Sequence, residues 1–190
     1  LIINPRSGKS KKKKVFSAIE ETIRDEGWTV ETYFTEYRGH ATELAERAGG
    51  YDRIVCVGGD GTLNEVINGL MTLEKRPEIG YIPAGSTNDF AAGIGLPRSI
   101  GKSARLAGSD GISAIDVGAF INDKEEKRYF SYVASFGMFT RVSYATDQRF
   151  KNMFGHMAYI FEGIMSVTDL NNYKPFRLRI ETADSIIEQE

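Results

Sequence analysis

Residues 54–65 indicate the fold class, and they read Ile54-Val55-Cys56-Val57-Gly58-Gly59-Asp60-Gly61-Thr62-Leu63-Asn64-Glu65. The first four residues are apolar without interruption, which predicts a strand buried on both faces of a parallel sheet. Two glycines follow, and apolar residues then recur at the spacing of a helix, at Leu63, Val66, Ile67 and Leu70. The stretch therefore predicts a strand, a glycine turn and an amphipathic helix in direct succession.

The same order of strand, loop and helix occurs on both sides of this stretch. Upstream, Leu1-Ile2-Ile3 precedes a loop at residues 4–8 and a helix predicted over Lys12 to Gly27. Downstream, a strand over Ile79 to Ile82 precedes a loop and a helix starting near Thr87. Between them, alternation over 28–34 predicts a strand, and a second helix is predicted over 41–48. Alternating strands and helices predict an α/β fold with a parallel sheet covered on both faces.

Composition excludes several other classes of protein. The chain has 190 residues, of which 41% are hydrophobic and 26% charged, as in ordinary soluble globular proteins. No apolar run approaches the ~18 residues of a membrane span. The net charge of 24 − 26 = −2 gives no reason to expect nucleic-acid binding. The single cysteine, Cys56, excludes an internal disulfide and is expected to be an inert core residue.

The sequence pattern changes near residue 111. Residues 112–120 and 128–139 are strand-like and are separated by a charged turn at 122–126, which predicts an antiparallel hairpin. A helical, aromatic-rich stretch follows from Tyr144 to Val167, and a last strand over 176–181 turns at Ala183-Asp184. We therefore predict two domains, residues 1–110 as a parallel α/β domain and 111–190 as part of a β-rich, sandwich-like domain. Because the chain opens inside an apolar run and closes inside a hairpin, we expect it to be the N-terminal portion of a longer protein.

Three loops follow predicted strands and precede predicted helices. They are Asn4-Pro5-Arg6-Ser7-Gly8, then Gly58-Gly59-Asp60-Gly61-Thr62, then Pro83-Ala84-Gly85-Ser86-Thr87-Asn88-Asp89. In a parallel sheet such loops meet at the carboxyl ends of the strands, where ligands bind. Glycines let a ligand approach the backbone, and helix N-termini present N–H groups to anions. Three such loops favour a polyphosphate site over simple turns.

Two common phosphate motifs do not fit these loops. Gly8-Lys9-Ser10 is similar to the end of a P-loop, but Ile3 stands where the first glycine of that motif is required. Gly59-Asp60-Gly61 begins like a dinucleotide fingerprint, but Asn64 stands where its third glycine is required.

The three loops, taken in order, resemble the catalytic domain of the diacylglycerol kinase family, which includes bacterial soluble lipid kinases and sphingosine and ceramide kinases. The resemblance continues through Ile115-Asp116-Val117-Gly118 and residues 142–159. It implies a nucleotide-binding domain like that of NAD kinases and phosphofructokinases, which share the Gly-Gly-Asp-Gly block. It also implies an ATP-dependent lipid kinase that phosphorylates the hydroxyl of diacylglycerol, or of a related lipid alcohol, to give phosphatidic acid.

The resemblance further implies which residues hold the cofactors. Thr35, which follows the second strand, matches a nucleotide-contacting threonine of the family, and Ser86 keeps the hydroxyl where the family more often has threonine. The residues implied to bind ATP are Asn4, Pro5, Arg6, Ser7, Gly8, Thr35, Gly59, Asp60, Gly61, Thr62, Leu63, Asn64, Glu65 and Ser86.

Three carboxylates near strand ends are candidates for holding Mg²⁺, largely through water: Asp60, Asp89 and Asp116. The alternative is that Asp89 caps a helix and that Asp116 is a solvated strand residue.

The acceptor hydroxyl needs a general base. In the family this base and the direct metal ligands lie further along the chain, so the catalytic residues are expected beyond residue 190. His40 and His156 have suitable chemistry, but a lone histidine is more often a surface or packing residue.

Two alternatives to a lipid kinase therefore stay open: a phosphotransferase of the NAD-kinase type, and a nucleotide-binding module without turnover.

The expected partner is a lipid at the membrane surface. Seven of the 11 phenylalanines fall between Phe120 and Phe161, which suits either an acyl-chain cleft or a second core. Five lysines between Lys9 and Lys14 suit either anionic headgroups or a solvated helix face. We expect a cytoplasmic protein in peripheral contact with the inner membrane surface, with a homodimer as an option.

Overall fold

A computed structural model describes residues 1–8, 13–121, 124–133, 178–181 and 186–189. It contains a mixed α/β fold whose centre is a parallel sheet of four strands. The strands are β1 (Ile2–Ile3), β2 (Tyr33–Phe34), β3 (Arg53–Gly58) and β4 (Glu78–Pro83), in the spatial order β2-β1-β3-β4. The predicted fold class is confirmed in this sheet.

The register of the sheet places buried residues of β1, β3 and β4 opposite one another. Ile2 pairs with Cys56 across β1 and β3, and Cys56 pairs with Tyr81 across β3 and β4. Five of the six residues of β3 are buried, because helices cover the sheet on both faces. The chain is thus committed to a three-layer arrangement by the stretch that precedes the double glycine.

Five helices surround the sheet in the part of the chain that the structure describes. They are α1 (Lys13–Asp25), α2 (His40–Glu46), α3 (Asp60–Leu70), α4 (Asp89–Gly93) and α5 (Ile100–Gly108), with a 3₁₀ turn at Ala48–Gly50. One core cluster joins one face of the sheet to α2, α3 and α4, and a second joins the other face to α1 and α5. In β3, Cys56 belongs to the first cluster while Val55 and Val57 belong to the second, as strand alternation requires.

Helix α1 shows how the sequence sets these elements. Phe16, Ile19 and Ile23 lie on its buried face at the predicted spacing. The helix ends before Gly27, whose φ of +94° is a conformation that glycine adopts without strain. The chain then turns into β2, as the glycine stop predicts.

The structure differs from the sequence-based expectation in two places. The strand predicted over 28–34 is reduced to Tyr33–Phe34, because β1 offers only two paired residues. Trp28 instead turns inward, where its Nε1 donates a hydrogen bond to the Gly108 carbonyl at 2.7 Å and its ring lies 4.4 Å from the Arg53 guanidinium. Helix α5 was not singled out by the sequence, since small residues such as Ser103, Ala104 and Ala107 form its buried face.

Antiparallel pairing replaces parallel pairing after residue 111, as predicted. Strands β5 (Gly118–Ile121) and β6 (Lys127–Phe130) form one hairpin, and β7 (Leu178–Glu181) and β8 (Ile186–Gln189) pair antiparallel as well. Residues 111–117 have no regular structure, although a strand was predicted from residue 112. The predicted helical stretch at 144–167 and the turn at 183–184 lie outside the described residues.

The chain divides into two compact units, Leu1–Ala134 and Ser135–Glu190. The β5–β6 hairpin belongs to the first unit, where β6 packs against α3. Asn68 of α3 joins them, because its Oδ1 accepts the Tyr129 N–H at 2.9 Å and its Nδ2 donates to the Tyr129 carbonyl at 2.9 Å. The division into domains at 110 and 111 stays a prediction.

Within the described part of the chain, no helix combines the length and the apolar character needed to span a bilayer.

Helices α2 and α3 approach each other closely at Gly69. A Cβ at this position would lie 2.3 Å from the Thr42 carbonyl oxygen and 2.7 Å from the Ala45 Cβ. We therefore expect Gly69→Val to lower the free energy of unfolding by about 2–3 kcal/mol, since backbone and a short side chain cannot move aside. Urea denaturation measures the change.

Gly101→Ala is the matched control, because a Cβ at Gly101 on α5 has no neighbour within 4 Å. The free energy of unfolding should be unchanged or raised by up to about 1 kcal/mol there. Equal effects at the two glycines would contradict the close approach of α2 and α3.

Candidate functional site

The three glycine loops meet at the carboxyl edge of the parallel sheet. The chain passes from β1 outward to β2 and returns to β3 on the other side of β1, so the strand order reverses between β1 and β3. Ligands of open α/β sheets bind at such a reversal, outside the carboxyl ends of the strands. The loops after β1, β3 and β4 all lie there, as the sequence predicts.

Glycine backbones bring the loops into contact. A Cβ on Gly85 would lie 2.5 Å from the Cα of Gly59, and a Cβ on Gly8 would lie 3.0 Å from the Ala84 carbonyl oxygen. Ser7 joins the same junction, with its Oγ 3.9 Å from a Cβ placed on Gly59. Larger residues at these glycines would separate the loops, so their absence of side chains is a packing requirement.

Asn4 ties the first loop to the second. Its N–H donates to the Val57 carbonyl at 2.9 Å and its Nδ2 donates to Thr62 Oγ1 at 3.0 Å. Its Oδ1 accepts the Arg6 N–H at 3.0 Å, and its carbonyl accepts the Ser7 N–H at 3.1 Å, which closes the loop into a turn. The Asn4 side chain therefore shapes the edge as well as lining it.

Asp60 ties the second loop to the third. As the first residue of α3, it accepts the Asp89 N–H on Oδ2 at 3.1 Å and the Phe90 N–H on Oδ1 at 3.2 Å. These are amide groups of the first turn of α4, which its own N-cap residue, Asn88, does not satisfy with a side chain. One carboxylate thus fixes the start of α4 relative to the start of α3.

Asn88 shapes the third loop. Its Oδ1 accepts the Gly85 N–H at 2.8 Å and its Nδ2 donates to the Gly85 carbonyl at 3.0 Å. The backbone at Asn88 is left-handed, with φ of 55°, a conformation that asparagine tolerates better than most residues. Ser86 lies inside this closed turn and is exposed.

Tyr81 contacts the loop junction from within the sheet. It lies in β4, is 7% exposed, and directs its hydroxyl to the Gly58 carbonyl at 3.3 Å. Burial, with Asp60 nearby, raises the pKa of Tyr81 far above its usual range, so the hydroxyl stays protonated and can donate. Sequence reasoning did not single out Tyr81 or Asn68, because their hydrogen-bond partners are distant in sequence. Asn88 lies in the predicted third loop, but its bonds to Gly85 depend on a left-handed backbone that the sequence does not specify.

The remaining predicted nucleotide residues occupy different surroundings. Pro5, Gly59 and Gly61 lie at the edge, with Arg6, Gly61 and Asn64 exposed. Leu63 is 2% exposed and belongs to the core, so its side chain faces away from the edge. The Glu65 carbonyl accepts the Thr42 hydroxyl at 3.0 Å, which joins α3 to α2.

Thr35 reaches the same edge from β2. Its N–H donates to the Ile3 carbonyl at 2.9 Å, one residue before Asn4, and the residue is 8% exposed. The carboxyl end of β2 therefore borders the loop after β1.

The candidate metal residues are only partly brought together. Asp60 and Asp89 are joined by the hydrogen bond to the Asp89 N–H, while Asp116 is exposed in the irregular segment before β5. Among the described residues, no group of three His, Cys, Asp or Glu side chains is placed to hold a metal ion. A role for these aspartates toward Mg²⁺ stays a prediction.

Cys56 lies in the core at 0% exposure, and burial raises the pKa of its thiol well above the usual range. A thiol that stays protonated is a poor nucleophile, which agrees with the packing role expected from the sequence.

A cavity of about 320 Å³ lies at the opposite edge of the sheet. Leu1, Arg53 and Tyr33, which stand at or near the starts of three strands, are among its lining residues, together with Trp28 and Tyr51. Because ligands of parallel sheets bind at the carboxyl edge, we assign the candidate site to the glycine loops and not to this cavity.

The hold of Asp60 on α4 is testable. In Asp60→Ala, the Asp89 and Phe90 amides lose their acceptors, so we expect their hydrogen exchange to accelerate at least about tenfold. The free energy of unfolding should fall by about 1–2 kcal/mol, as for other lost helix caps. Amide exchange followed by NMR measures the first effect.

Asp110→Ala is the control, since Asp110 is exposed and follows α5. Exchange at Asp89 and Phe90 should be unaffected there. Unchanged exchange in Asp60→Ala would show that another group holds the start of α4.

Comparison with known proteins identifies relatives along the whole chain. A protein named diacylglycerol kinase from Staphylococcus haemolyticus is 36% identical over 192 residues, which cover 100% of this chain and 56% of the relative. Its namesake from Bacillus subtilis is 34% identical over 193 residues, covering 100% of this chain and 61% of the relative. The chain thus spans less than two thirds of the length of these relatives.

Solved structures show the same similarity. The crystal structure of a diacylglycerol kinase from Bacillus anthracis superposes with a TM-score of 0.57 at 32% identity, over 61% of this chain and 43% of the other. A candidate diacylglycerol kinase from the same organism superposes with a TM-score of 0.73 at 26% identity, over 98% of this chain and 60% of the other.

The diacylglycerol kinase catalytic domain family matches residues 1–120, which include all three glycine loops. The resemblance noted in the sequence is thereby confirmed, and the chain belongs to the diacylglycerol kinase catalytic domain family.

Proposed function

We propose that this chain binds ATP at the three-loop edge and forms part of a lipid kinase. The kinase transfers the γ-phosphoryl group of ATP to the hydroxyl of diacylglycerol, or of a related lipid alcohol, and ADP leaves. With diacylglycerol as the acceptor, the product is phosphatidic acid. The observation that carries the proposal is the contact of the three loops through Gly8, Gly59 and Gly85 at the reversal of strand order. Membership of the family and the names of the relatives support the reaction.

The nucleotide phosphates have suitable surroundings at this edge. Helix α3 begins immediately after Gly59. The first N–H groups of the helix lie at the carboxyl edge of the sheet, among the three loops, and can donate to an anion. Small or hydroxyl residues, including Ser7, Gly8 and Ser86, belong to the same loops, and their short side chains favour close approach of a polyphosphate to the backbone. Phosphoryl transfer depends mainly on positioning and on charge stabilisation, and the bonded loops supply a fixed frame for both.

The chemistry of Asp60 and Asp89 fits a magnesium ion held through water. A carboxylate accepts about four hydrogen bonds, and Asp60 uses one on each oxygen for α4, which leaves lone pairs for metal-bound water. The Asp89 side chain is exposed beside it. When bound, Mg²⁺ neutralises charge on the phosphates. For Asp116, the family resemblance alone supports a role.

The lipid hydroxyl needs a base, which we place outside residues 1–190 by the family resemblance. A lipid with two acyl chains resides in a bilayer, so a kinase acting on it works in peripheral contact with a membrane surface. We propose the cytoplasmic face of the inner membrane, where ATP is available.

A phosphotransfer assay tests the reaction directly. The protein that contains this chain is incubated with radiolabelled Mg·ATP and, in separate reactions, diacylglycerol, sphingosine, ceramide and NAD. We expect label in the diacylglycerol reaction and none in NAD. Label in NAD alone would favour an NAD-kinase type of enzyme, and ATP binding without transfer to any acceptor would favour a module without turnover.

The loop contact itself gives a second prediction. In Gly85→Ala, the new Cβ would meet the Gly59 Cα at 2.5 Å, which forces the loops after β3 and β4 apart. We expect the dissociation constant for Mg·ATP, measured by calorimetry, to rise at least about tenfold, which corresponds to about 1.4 kcal/mol.

Gly93→Ala serves as the matched control, because its Cβ would meet only Tyr132 Cε2 at an ordinary 3.6 Å. Its affinity for Mg·ATP should equal that of the unchanged protein. Equal affinity in Gly85→Ala would mean that the loop contact is not needed for nucleotide binding.

A further inference from the structure

His40 is the first residue of α2 and lies five residues after Thr35. The segment between them, residues 36–39, is mostly exposed and links the end of β2 to α2. We refer to residues 35–39 as the β2–α2 loop. Thr35 anchors its first end to β1 through the N–H bond to the Ile3 carbonyl, directly before the loop that begins at Asn4.

The His40 side chain folds back over this loop. Its Nδ1 accepts the Glu36 N–H at 3.1 Å, and its ring stacks on the Tyr37 ring with centroids 4.6 Å apart and planes 3° apart. The His40 N–H also donates to the Tyr37 carbonyl at 3.3 Å. One residue therefore holds both of the exposed residues that follow Thr35.

Other contacts fix His40 in this position. Gly39 has φ of +91°, which turns the chain into α2, and its carbonyl accepts the Thr42 and Glu43 N–H groups. The Tyr37 hydroxyl donates to Glu43 Oε2 at 2.8 Å, so the stacked ring is held from the helix as well. The β2–α2 loop is therefore held at one end by contacts with α2 and at the other by the hydrogen bond of Thr35 to β1.

The hydrogen bond also defines which atom of the imidazole matters. Nδ1 acts as a hydrogen-bond acceptor here, so a substitute residue must offer a lone pair at the same position. An asparagine Oδ1 occupies nearly the same position relative to Cβ as a histidine Nδ1. Asparagine can therefore replace the acceptor, whereas leucine replaces only the bulk.

We propose that His40 is a positioning residue for the nucleotide. It holds Glu36 and Tyr37, and through them Thr35, in the conformation that borders the loop after β1. The inference rests on the proposed nucleotide site, and it assigns His40 an indirect role in place of proton transfer. Nothing in it requires His40 to touch the ligand.

Nucleotide affinity measured by calorimetry with Mg·ATP tests the proposal. We expect His40→Leu to raise the dissociation constant between about threefold and tenfold, the effect of one lost hydrogen bond. His40→Asn should retain affinity within about twofold, because the acceptor is kept. If His40→Leu does not fold, His40→Gln takes its place, since its oxygen lies one bond further out.

Ala45→Gly is the control for a loss of stability without a change in the loop. Ala45 is buried on α2 beside Gly69. Glycine at this position destabilises the helix that carries His40 and so lowers the melting temperature of the protein. Its affinity for Mg·ATP should be unchanged. Affinity that falls equally in His40→Leu and Ala45→Gly, or that is unchanged in His40→Leu, would overturn the role of His40.

The unchanged protein separates this inference from the proposed function. If it binds no Mg·ATP, the nucleotide site fails and the role of His40 falls with it. If it binds Mg·ATP and His40→Leu binds equally, the nucleotide site stands and His40 is a packing residue.

Discussion

The close approach of Gly59 and Gly85 is the constraint on which the rest of the site depends. No side chain fits between these two backbones, because a Cβ on Gly85 would lie 2.5 Å from the Gly59 Cα. The loops after β3 and β4 therefore stand at a fixed separation. Asp60 can then make its hydrogen bonds across the two loops, and Asn88 can make its hydrogen bonds within the second of them. Gly8 brings the loop after β1 to the same point.

The topology of the sheet determines where the three loops meet, and side chains then adjust the contacts between them. Continuous apolar runs bury β1, β3 and β4 between helices, and the order β2-β1-β3-β4 sets the reversal beside β1 and β3. The loops of those two strands are then neighbours by topology. The glycines and the polar bonds convert neighbouring loops into contacting ones, and the β5–β6 hairpin is attached to the same helix, α3, through Asn68.

Much of this arrangement was predictable from the sequence, because period and composition carry it. The run before Gly58 predicts a buried strand, and the helical spacing after Gly61 predicts α3. The length of β2 was not predictable, since it depends on how far β1 pairs with it. Helix α5 was not predictable from hydrophobic periodicity, because it packs through small residues, which give a weak hydrophobic signal. The loops were found from glycine and hydroxyl residues, but their cross-links were not, because Asp60 and Asp89 are 29 positions apart.

A nucleotide bound at the carboxyl edge of the sheet would change the surroundings of the backbone amides there, and amide NMR mapping detects such changes. Mg·ATP is titrated into the nitrogen-15-labelled protein while the backbone amide shifts are followed. We predict the largest changes in residues 4–8, 58–62 and 83–88, and also in Thr35. Shifts confined to the amino edge around Trp28 and Tyr51, or no shifts in the three glycine loops, would contradict it.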